Sequence, residues 1–575
     1  MFRNFFRIVS GSFSPELLKR VYLGGFLVLA GVLFWYQIIR GDYYFQRAKN
    51  NYLKVIPLAS MRGAIFDRNG QAIAYDRPVF SIGVIPYQIE SSREGLFAAL
   101  SEFSGSSLKT LDKSYRKNFQ SYFSPVDIIT DVDKAKALAI KEKFSDSVVV
   151  ITRPQRYYPN SYQLAHVLGY VKEAKAFYQE LKNYGYSPLE RVGINGVEQV
   201  YDAYLRGAEG GKLIEVDSRG RIMGFLGEQL PQKGKDITLT VDSRIQLAAD
   251  SALGQQKGAL ILMDSQDGGI LALCSKPYFN PNDFISGKNI QAVFNDPGSP
   301  LLNRAYQATF PIGSTFKPIM ATAALEEGKI TPASSFNCSG EFHLGRAAFR
   351  CWTIHGIQNL YEALAHSCNV YFYNLGMILG PEPITDWAGK FGLNSLTGID
   401  LPSEKSGFVP SRQWKQKEIK SVWYPGDTVN FSIGQGYLLA SPLAIMRAMN
   451  VFANGGYLVR PHLIKEIDSI DSGISTRAYL GISEKNLQAV RQGLREAVLR
   501  DDGSAHILQR LNLKFSGKTG TAQNSGKAHG WFTGFFTYQD KTYTICVFIE
   551  HGGASYEAVK IAYYFLKSVI ENNLL

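Results

Sequence analysis

Residues 21–39 hold no charged side chain, and Gln37 is the one strongly polar group among them. Nineteen residues rising 1.5 Å each make about 28 Å of helix, close to the hydrocarbon thickness of a bilayer. Phe34, Trp35 and Tyr36 stand near one end, where interfacial aromatic residues gather. The stretch is longer than the apolar core of a secretory signal and no small-residue cleavage site follows it, so it predicts an uncleaved anchor. Beyond it the texture is mixed. Residues 62–70 read as a strand running into an Asn69-Gly70 turn, 96–103 and 131–144 carry apolar residues at helical spacing, and 217–220 read as a turn. From Asp236 the pattern changes. A strand at 236–241 precedes a helical stretch, Ser243–Leu253, and then strands at 258–264 and 269–274 about an Asp267-Gly268 turn. Near the end, 531–538 and 542–549 form a hairpin across Gln539-Asp540. Val559, Ala562, Tyr563, Leu566 and Ile570 then mark a helix over 556–570. Strands from both ends around a helical middle predict one antiparallel sheet with a helix-rich insertion, an α+β fold.

Charge places this architecture relative to a membrane. Arg3, Arg7, Lys19 and Arg20 precede the apolar stretch and Arg40, Arg47 and Lys49 follow it. The first group favours a cytoplasmic N-terminus, with the large remainder outside the cytoplasm. A chain of 575 residues exceeds one core, and 45% apolar with 19% charged residues excludes extended disorder. The formal charge of +12 suits anionic lipid, an anionic cell-wall polymer or nucleic acid. No nucleic-acid motif accompanies it, so nucleic acid is not an expected partner. Five cysteines in so long a chain do not make a disulfide framework.

Three short strings carry chemistry: Ser314-Thr315-Phe316-Lys317, Ser367-Cys368-Asn369 and Lys518-Thr519-Gly520-Thr521. Serine and lysine three apart on a helix share a face, so the amine can take the hydroxyl's proton. Pro318 suits the first turn of the helix that follows, which puts Ser314 where the positive end of the dipole favours an oxyanion. Lys518-Thr519-Gly520-Thr521 follows apolar Leu513 and Phe515 as an edge strand would, and its glycine lets a ligand backbone lie close. Two hydroxyls and an ammonium there suit a substrate carboxylate. Each string is common alone; the ordered set is the one described for penicillin-recognising serine enzymes.

The chain resembles the class B penicillin-binding proteins over almost its whole length. Besides the three motifs, Arg156-Tyr157-Tyr158-Pro159, His166-Val167-Leu168-Gly169-Tyr170-Val171 and Gly193-Ile194-Asn195-Gly196-Val197-Glu198 look like the non-catalytic region of that class. Trp423-Tyr424-Pro425-Gly426-Asp427-Thr428, Ile433-Gly434-Gln435-Gly436-Tyr437 and His529-Gly530-Trp531-Phe532 are similar to the group that serves cell elongation. The resemblance implies a penicillin-binding serine-transpeptidase fold, preceded by an α/β pedestal and one transmembrane helix. The implied domains are a cytoplasmic tail at 1–20, the span at 21–39, a pedestal or dimerisation module at 40–235 and a transpeptidase domain at 236–575. It makes Ser314 the acylated nucleophile, Lys317 its base, Ser367 a proton relay and Asn369 an orienting group. Lys518 tunes the network, Thr519 and Thr521 hold the terminal carboxylate, and the amides of Ser314 and Thr521 form the oxyanion hole. The implied reaction is D,D-transpeptidation of peptidoglycan stem peptides, sensitive to β-lactams, from the inner membrane into the periplasm. Implied partners are a SEDS-family, RodA-like glycosyltransferase and other elongation-complex proteins.

Two alternatives stand beside that reading. A carboxypeptidase or β-lactamase would pass the same acyl-enzyme to water, but no Glu-x-x-Leu-Asn string lies between the second and third motifs to position one. A non-enzymatic scaffold for a glycan polymerase would use the pedestal alone. The chemistry needs no cofactor. Cys338, Cys351, His355 and Cys368, three thiols and an imidazole within a short stretch, suit a closed tetrahedral zinc site, with His343 a spare ligand. A Cys338–Cys351 disulfide or free thiols are the other readings. His166, Trp352, Trp423 and Tyr424 are expected in the core, and Asp427 reads a cation or stabilises a turn.

Overall fold

The computed structural model describes residues 14–575 apart from 120–121, 123–124, 146, 161, 188–189, 218–221 and 474. Arg3, Arg7 and most of the turn expected at 217–220 lie outside the described residues. Two compact units divide the chain.

The first comprises Met1–Ser60, Pro78–Pro154 and Ala208–Gln232. Ser14 caps the helix Pro15–Phe34 by accepting the Leu17 N–H, and a π-helical turn, Trp35–Ile39, prolongs it. These 25 residues are long and apolar enough to cross a membrane, and none of their most apolar stretch is buried among the described residues. A second helix, Gly41–Tyr52, leads into strand Leu53–Leu58, which pairs antiparallel with Gly210–Val216, itself paired with Ile222–Gln229. A separate small core gathers Ile82, Val84, Phe97, Leu100, Leu111, Ile128 and Ile140. Part of the helix expected over 131–144 is strand. Asp131 and Val132 close strand Val126–Val132, and Asp133, extended, caps Lys134–Lys143 by accepting the Lys136 N–H. A capping aspartate cannot itself be helical, so the helix starts beyond it.

The second unit comprises Met61–Arg77, Gln155–Gly207 and Lys233–Leu575. A wholly buried carboxylate joins the first two of these segments: Glu198 is held at 2.6 Å by both Arg62 and Arg156. Removing one partner of such a set strands a buried charge, so these segments stand or fall together. The Ile65–Phe66 strand also pairs with Ile237–Leu239.

Five antiparallel strands organise this unit: β1 (Gly258–Asp264), β2 (Ile270–Lys276), β3 (Lys514–Ala522), β4 (His529–Tyr538) and β5 (Lys541–Ile549). Their order is β2-β1-β5-β4-β3, which leaves β3 on an edge. Along β1, Ala259, Ile261 and Met263 enter one core while Leu260 and Leu262 enter the other. Both faces are covered, so every position must be apolar, and the strand reads as an unbroken apolar run. Gln539 and Asp540 adopt φ of 46° and 64°, the double left-handed turn that a tight hairpin requires. One core holds Ser243–Leu253 and the C-terminal helix Ser555–Glu571. The other holds the helical insertion, with α1 (Lys317–Glu326), α2 (Leu360–Ala365), α3 (Asn369–Leu379) and α4 (Pro425–Ser432).

Two aromatic expectations are corrected here. Trp352 and Tyr424 are exposed, at 66% and 56%. Trp352 lies in the short link after the hairpin Glu341–Leu344 and Ala347–Arg350, its indole N–H held by the His366 carbonyl at 3.0 Å and one side of its ring against His355 at 4.9 Å. Tyr424 immediately precedes α4 at its exposed end. His166 is buried as expected, with Nε2 3.1 Å from the Pro277 carbonyl.

Candidate active site

Ser314 lies in a single 3₁₀ turn, Gly313–Phe316, that leads into α1. Residues three apart eclipse one another in a 3₁₀ turn, so Ser314 and Lys317 share a side. The turn depends on Gly313: its φ is +56°, and a Cβ there would come 2.8 Å from the Thr521 carbonyl oxygen. Phe316, wholly buried, stacks on Phe431 of α4 at 5.6 Å and fixes the turn from beneath.

Lys317 is completely buried. Its Nζ donates to the Ser367 carbonyl and to Asn369 Oδ1, both at 2.8 Å, and lies 3.3 Å from Ser367 Oγ. Burial lowers its pKa to about 8, against the opposing pull of the Cys368 and Cys351 thiols. Lys518, also completely buried, is pushed well down by desolvation first and by the Lys317 charge second. An amine that loses its proton near neutrality, beside hydroxyls, is equipped as a general base.

The second motif reaches Lys317 because the chain reverses between α2 and α3. An Asn359–Glu362 capping box starts α2, and Ser367 takes φ of 56°, a left-handed value that turns the chain back. Asn369 opens α3 with its carboxamide used at both ends: Oδ1 accepts Lys317, and Nδ2 donates to the Arg350 carbonyl at 3.3 Å. The third motif closes over the Gly313–Phe316 turn. A Cβ on Gly520 would lie 2.9 Å from Thr315 Cγ2 and 3.0 Å from the Ile312 oxygen, so only glycine allows β3 to come so near. Lys518 Nζ donates to the Thr519 carbonyl at 3.1 Å. Thr519 is buried and Thr521 exposed, which leaves Thr521 as the strand's open hydroxyl.

Behind the second motif lie the thiols. The ligand atoms of Cys338, Cys351, His355 and Cys368 all fall within 4.8 Å of one another. His355 Nδ1 stands 3.5 Å from the sulfurs of both Cys338 and Cys351. Tetrahedral zinc with ordinary bond lengths requires S···N separations of about 3.5 Å, so the set fits that ion. The Cys351 sulfur also accepts the Asn369 N–H at 3.2 Å. The hydrogen bond from Cys368 pulls the Cys351 thiol below its ordinary range and, with burial, pushes Cys368 up. All five cysteines are free thiols, so no bridge joins Cys338 to Cys351. His343 stays apart, paired with Glu341 at 2.9 Å. Asp427 accepts the Tyr424 N–H and pairs with buried Lys415, the turn-stabilising role rather than the open one.

Sequence reasoning missed two contacts. The Arg350 carbonyl on Asn369 had no signal, because backbone acceptors leave none. Gln435 was quoted only as a mark of family likeness, yet its Nε2 reaches the Thr521 carbonyl. A cavity of about 430 Å³ lined by Tyr170, Asn195, Gln199, Gln307 and Lys405 shares no residue with the three motifs.

Comparison with known proteins agrees with this geometry. The model of the penicillin binding protein transpeptidase domain matches residues 258–571, and that of the penicillin-binding protein dimerisation domain matches 57–239. The peptidoglycan D,D-transpeptidase MrdA of Escherichia coli K12 is 32% identical over 573 residues, covering 92% of this chain and 90% of its own. The complex between penicillin-binding protein 2 and MreC from Helicobacter pylori is similar with a TM-score of 0.82 and 30% identity. That match covers 91% of this chain and 99% of that one. A chain from a peptidoglycan synthase complex that coordinates polymerization and crosslinking gives 0.73 at 29% identity, covering 96% and 97%.

Proposed function

The chain belongs to the class B penicillin-binding proteins, and on that premise we propose how its residues perform the family's reaction. It is a peptidoglycan D,D-transpeptidase that cross-links stem peptides through a serine acyl-enzyme during cell elongation, and the hydrolase and scaffold alternatives are not favoured. Neutral Lys317 takes the proton of Ser314 Oγ as the hydroxyl attacks the D-Ala-D-Ala carbonyl carbon. The resulting oxyanion is met by the N–H groups of Ser314 and Thr521. Collapse expels D-alanine, whose nitrogen receives a proton through Ser367. Until then Asn369 orients the donor, and Thr521, with Thr519 and Lys518 behind it, holds its terminal carboxylate. An amine of a neighbouring stem peptide next attacks the acyl-enzyme carbonyl, and the bond to Ser314 Oγ breaks as that oxygen regains a proton from the amine through Lys317. The observation that carries this reading is the buried Lys317 amine, bound to both Ser367 and Asn369.

The same reading assigns 236–575 to the transpeptidase domain and 40–235 to the pedestal. The protein works in the elongation complex, anchored by the apolar helix Pro15–Ile39. Its catalytic domain faces the periplasm, and a SEDS-family, RodA-like polymerase is the partner that supplies glycan strands. Protease added to intact spheroplasts should remove the chain beyond about residue 60 and leave a small membrane fragment. A chain that resists until the membrane is lysed refutes that orientation.

Zinc at Cys338, Cys351, His355 and Cys368 would brace the Ser367–Asn369 turn from behind; a closed four-ligand site leaves no position for substrate. The chain's own contribution is to hold the Asn369 N–H on the Cys351 sulfur. Cys368→Ser should lower both zinc content and penicillin acylation rate with Ser314 untouched. Elemental analysis of protein purified without chelators is the check, and absence of zinc from wild-type protein ends the idea.

A further inference from the structure

Between them, α4 and the loop that follows it, residues 433–437, touch all three motif-bearing elements. α4 itself packs on α3 so closely that a Cβ on Gly376 would lie 2.6 Å from the Ser432 Cβ. The Gly434 carbonyl accepts the Gly313 N–H at 2.9 Å, one residue before the nucleophile. A Cβ on Gly434 would stand 2.1 Å from the Gly313 oxygen, so this approach of backbone to backbone is open only to glycine. Gln435 then reaches the third element, donating from Nε2 to the Thr521 carbonyl at 3.4 Å. The loop that presents it is itself braced: the Gly434 N–H is held by the Phe431 carbonyl at 2.9 Å and the Gln435 N–H by the Asn430 carbonyl at 3.0 Å.

The orientation of Thr521 gives the contact its meaning. A residue of an antiparallel strand directs its N–H and C=O to the same side. The Thr521 carbonyl faces Gln435 and the Gly313 turn, not β4, so its N–H faces the cleft as well. Strand β3 is an edge, and among the described residues no strand pairs with it on that side. Of the side chains on the loop, Gln435 is the one that ties the outer face of that edge to the element holding Gly313.

We infer that Gln435 is a positioning residue for acylation. Its carboxamide holds Thr521 at a set distance from the Gly313–Ser314 turn, so that the two N–H donors meet one oxyanion. The inference rests on the reading of Ser314 as nucleophile. A misplaced donor costs rate in the chemical step and little in the preceding association.

The test is fluorescent penicillin on detergent-solubilised full-length protein, with time courses over a range of penicillin concentrations. These separate the non-covalent affinity from the acylation rate constant. Gln435→Glu keeps the size and replaces the donor by an acceptor; Gln435→Ala removes both. Each should lower the acylation rate constant by about tenfold, the worth of one hydrogen bond, with affinity held within about twofold. Melting temperatures should stay within about 2 °C of wild type, because the site is half exposed. A wild-type rate constant in Gln435→Glu overturns the inference. So does a loss matched by a fall in the folded fraction, which is what a structural role alone produces. Mass spectrometry of the wild-type adduct separates the two readings: a label away from Ser314 sinks the nucleophile assignment, and normal labelling with an indifferent Gln435 sinks only the clamp.

Discussion

Ser314→Ala is expected to leave the protein folded and in the membrane but unable to form a covalent penicillin adduct. The side chain is half-buried at the surface of the cleft, and the turn that carries it is fixed by Gly313 and Phe316, not by the hydroxyl. Stability should therefore change by less than about 1 kcal/mol, in the range of substitutions that neither empty a core nor strand a charge. Turnover, in contrast, loses its covalent intermediate, and nucleophile removal in serine acyl-transfer enzymes costs on the order of 10⁴-fold or more. Gel fluorescence after penicillin labelling reads the first effect, and complementation of a depleted strain reads the second. The variant should still co-purify with the glycan polymerase while failing to restore growth. Restored growth would mean that the scaffold, not the serine, is what the cell requires.

Lys317→Arg should reduce acylation by at least about a hundredfold, the usual share of general-base catalysis. Arginine keeps the charge but stays protonated at any working pH. The same group sets the pH dependence. The active form is the neutral amine, and burial brings its pKa down to about 8. Acylation should thus rise with pH through about 8 and level off above it, with about 1% of the amine neutral at pH 6. Lysine's unperturbed value near 10.4 would displace that rise upward by more than two pH units. Single-turnover acylation between pH 6 and 10 decides between them. A rate independent of pH across that range removes Lys317 from the role of base.

Much of the chemistry is local, and local spacing is what a sequence displays. Ser314 and Lys317 are one helical turn apart, so the pairing of hydroxyl and amine follows from covalent geometry. The uninterrupted apolar run at 21–39 and the Gln539-Asp540 hairpin are legible for the same reason: each is set by its own residues. The resemblance to a known class added the order of the three motifs, and with it the roles proposed for Ser367, Asn369 and Lys518.

The remainder depends on what distant segments bring. Capping misled the reading at 131–144, because Asp133 satisfies helix N–H groups from outside the helix and hydropathy spacing does not register that. Trp352 was expected inside because indole is large and apolar, but on its surface link the contact with His355 leaves most of the ring in solvent. Residues 61–77 and 155–207 are tied to each other by carboxylate–guanidinium contacts around Glu198, and to the segment from Lys233 by the Ile65–Ile237 strand pairing and the Tyr201–Asp400 hydrogen bond, which no periodicity announces. Gln435 meets Thr521 across 86 residues.

By itself, then, the sequence determined the apolar span, the strand and helix pattern of the catalytic sheet, and the local pairing of the groups proposed to react, because each is written in adjacent residues. Tertiary structure alone decided that Lys317 is dry enough to act as a base, that Cys368 faces Cys338, Cys351 and His355, and that β3 stands against the nucleophile turn. Those properties are burial, convergence and separation, and they arise only when residues remote in the chain exclude water from one another.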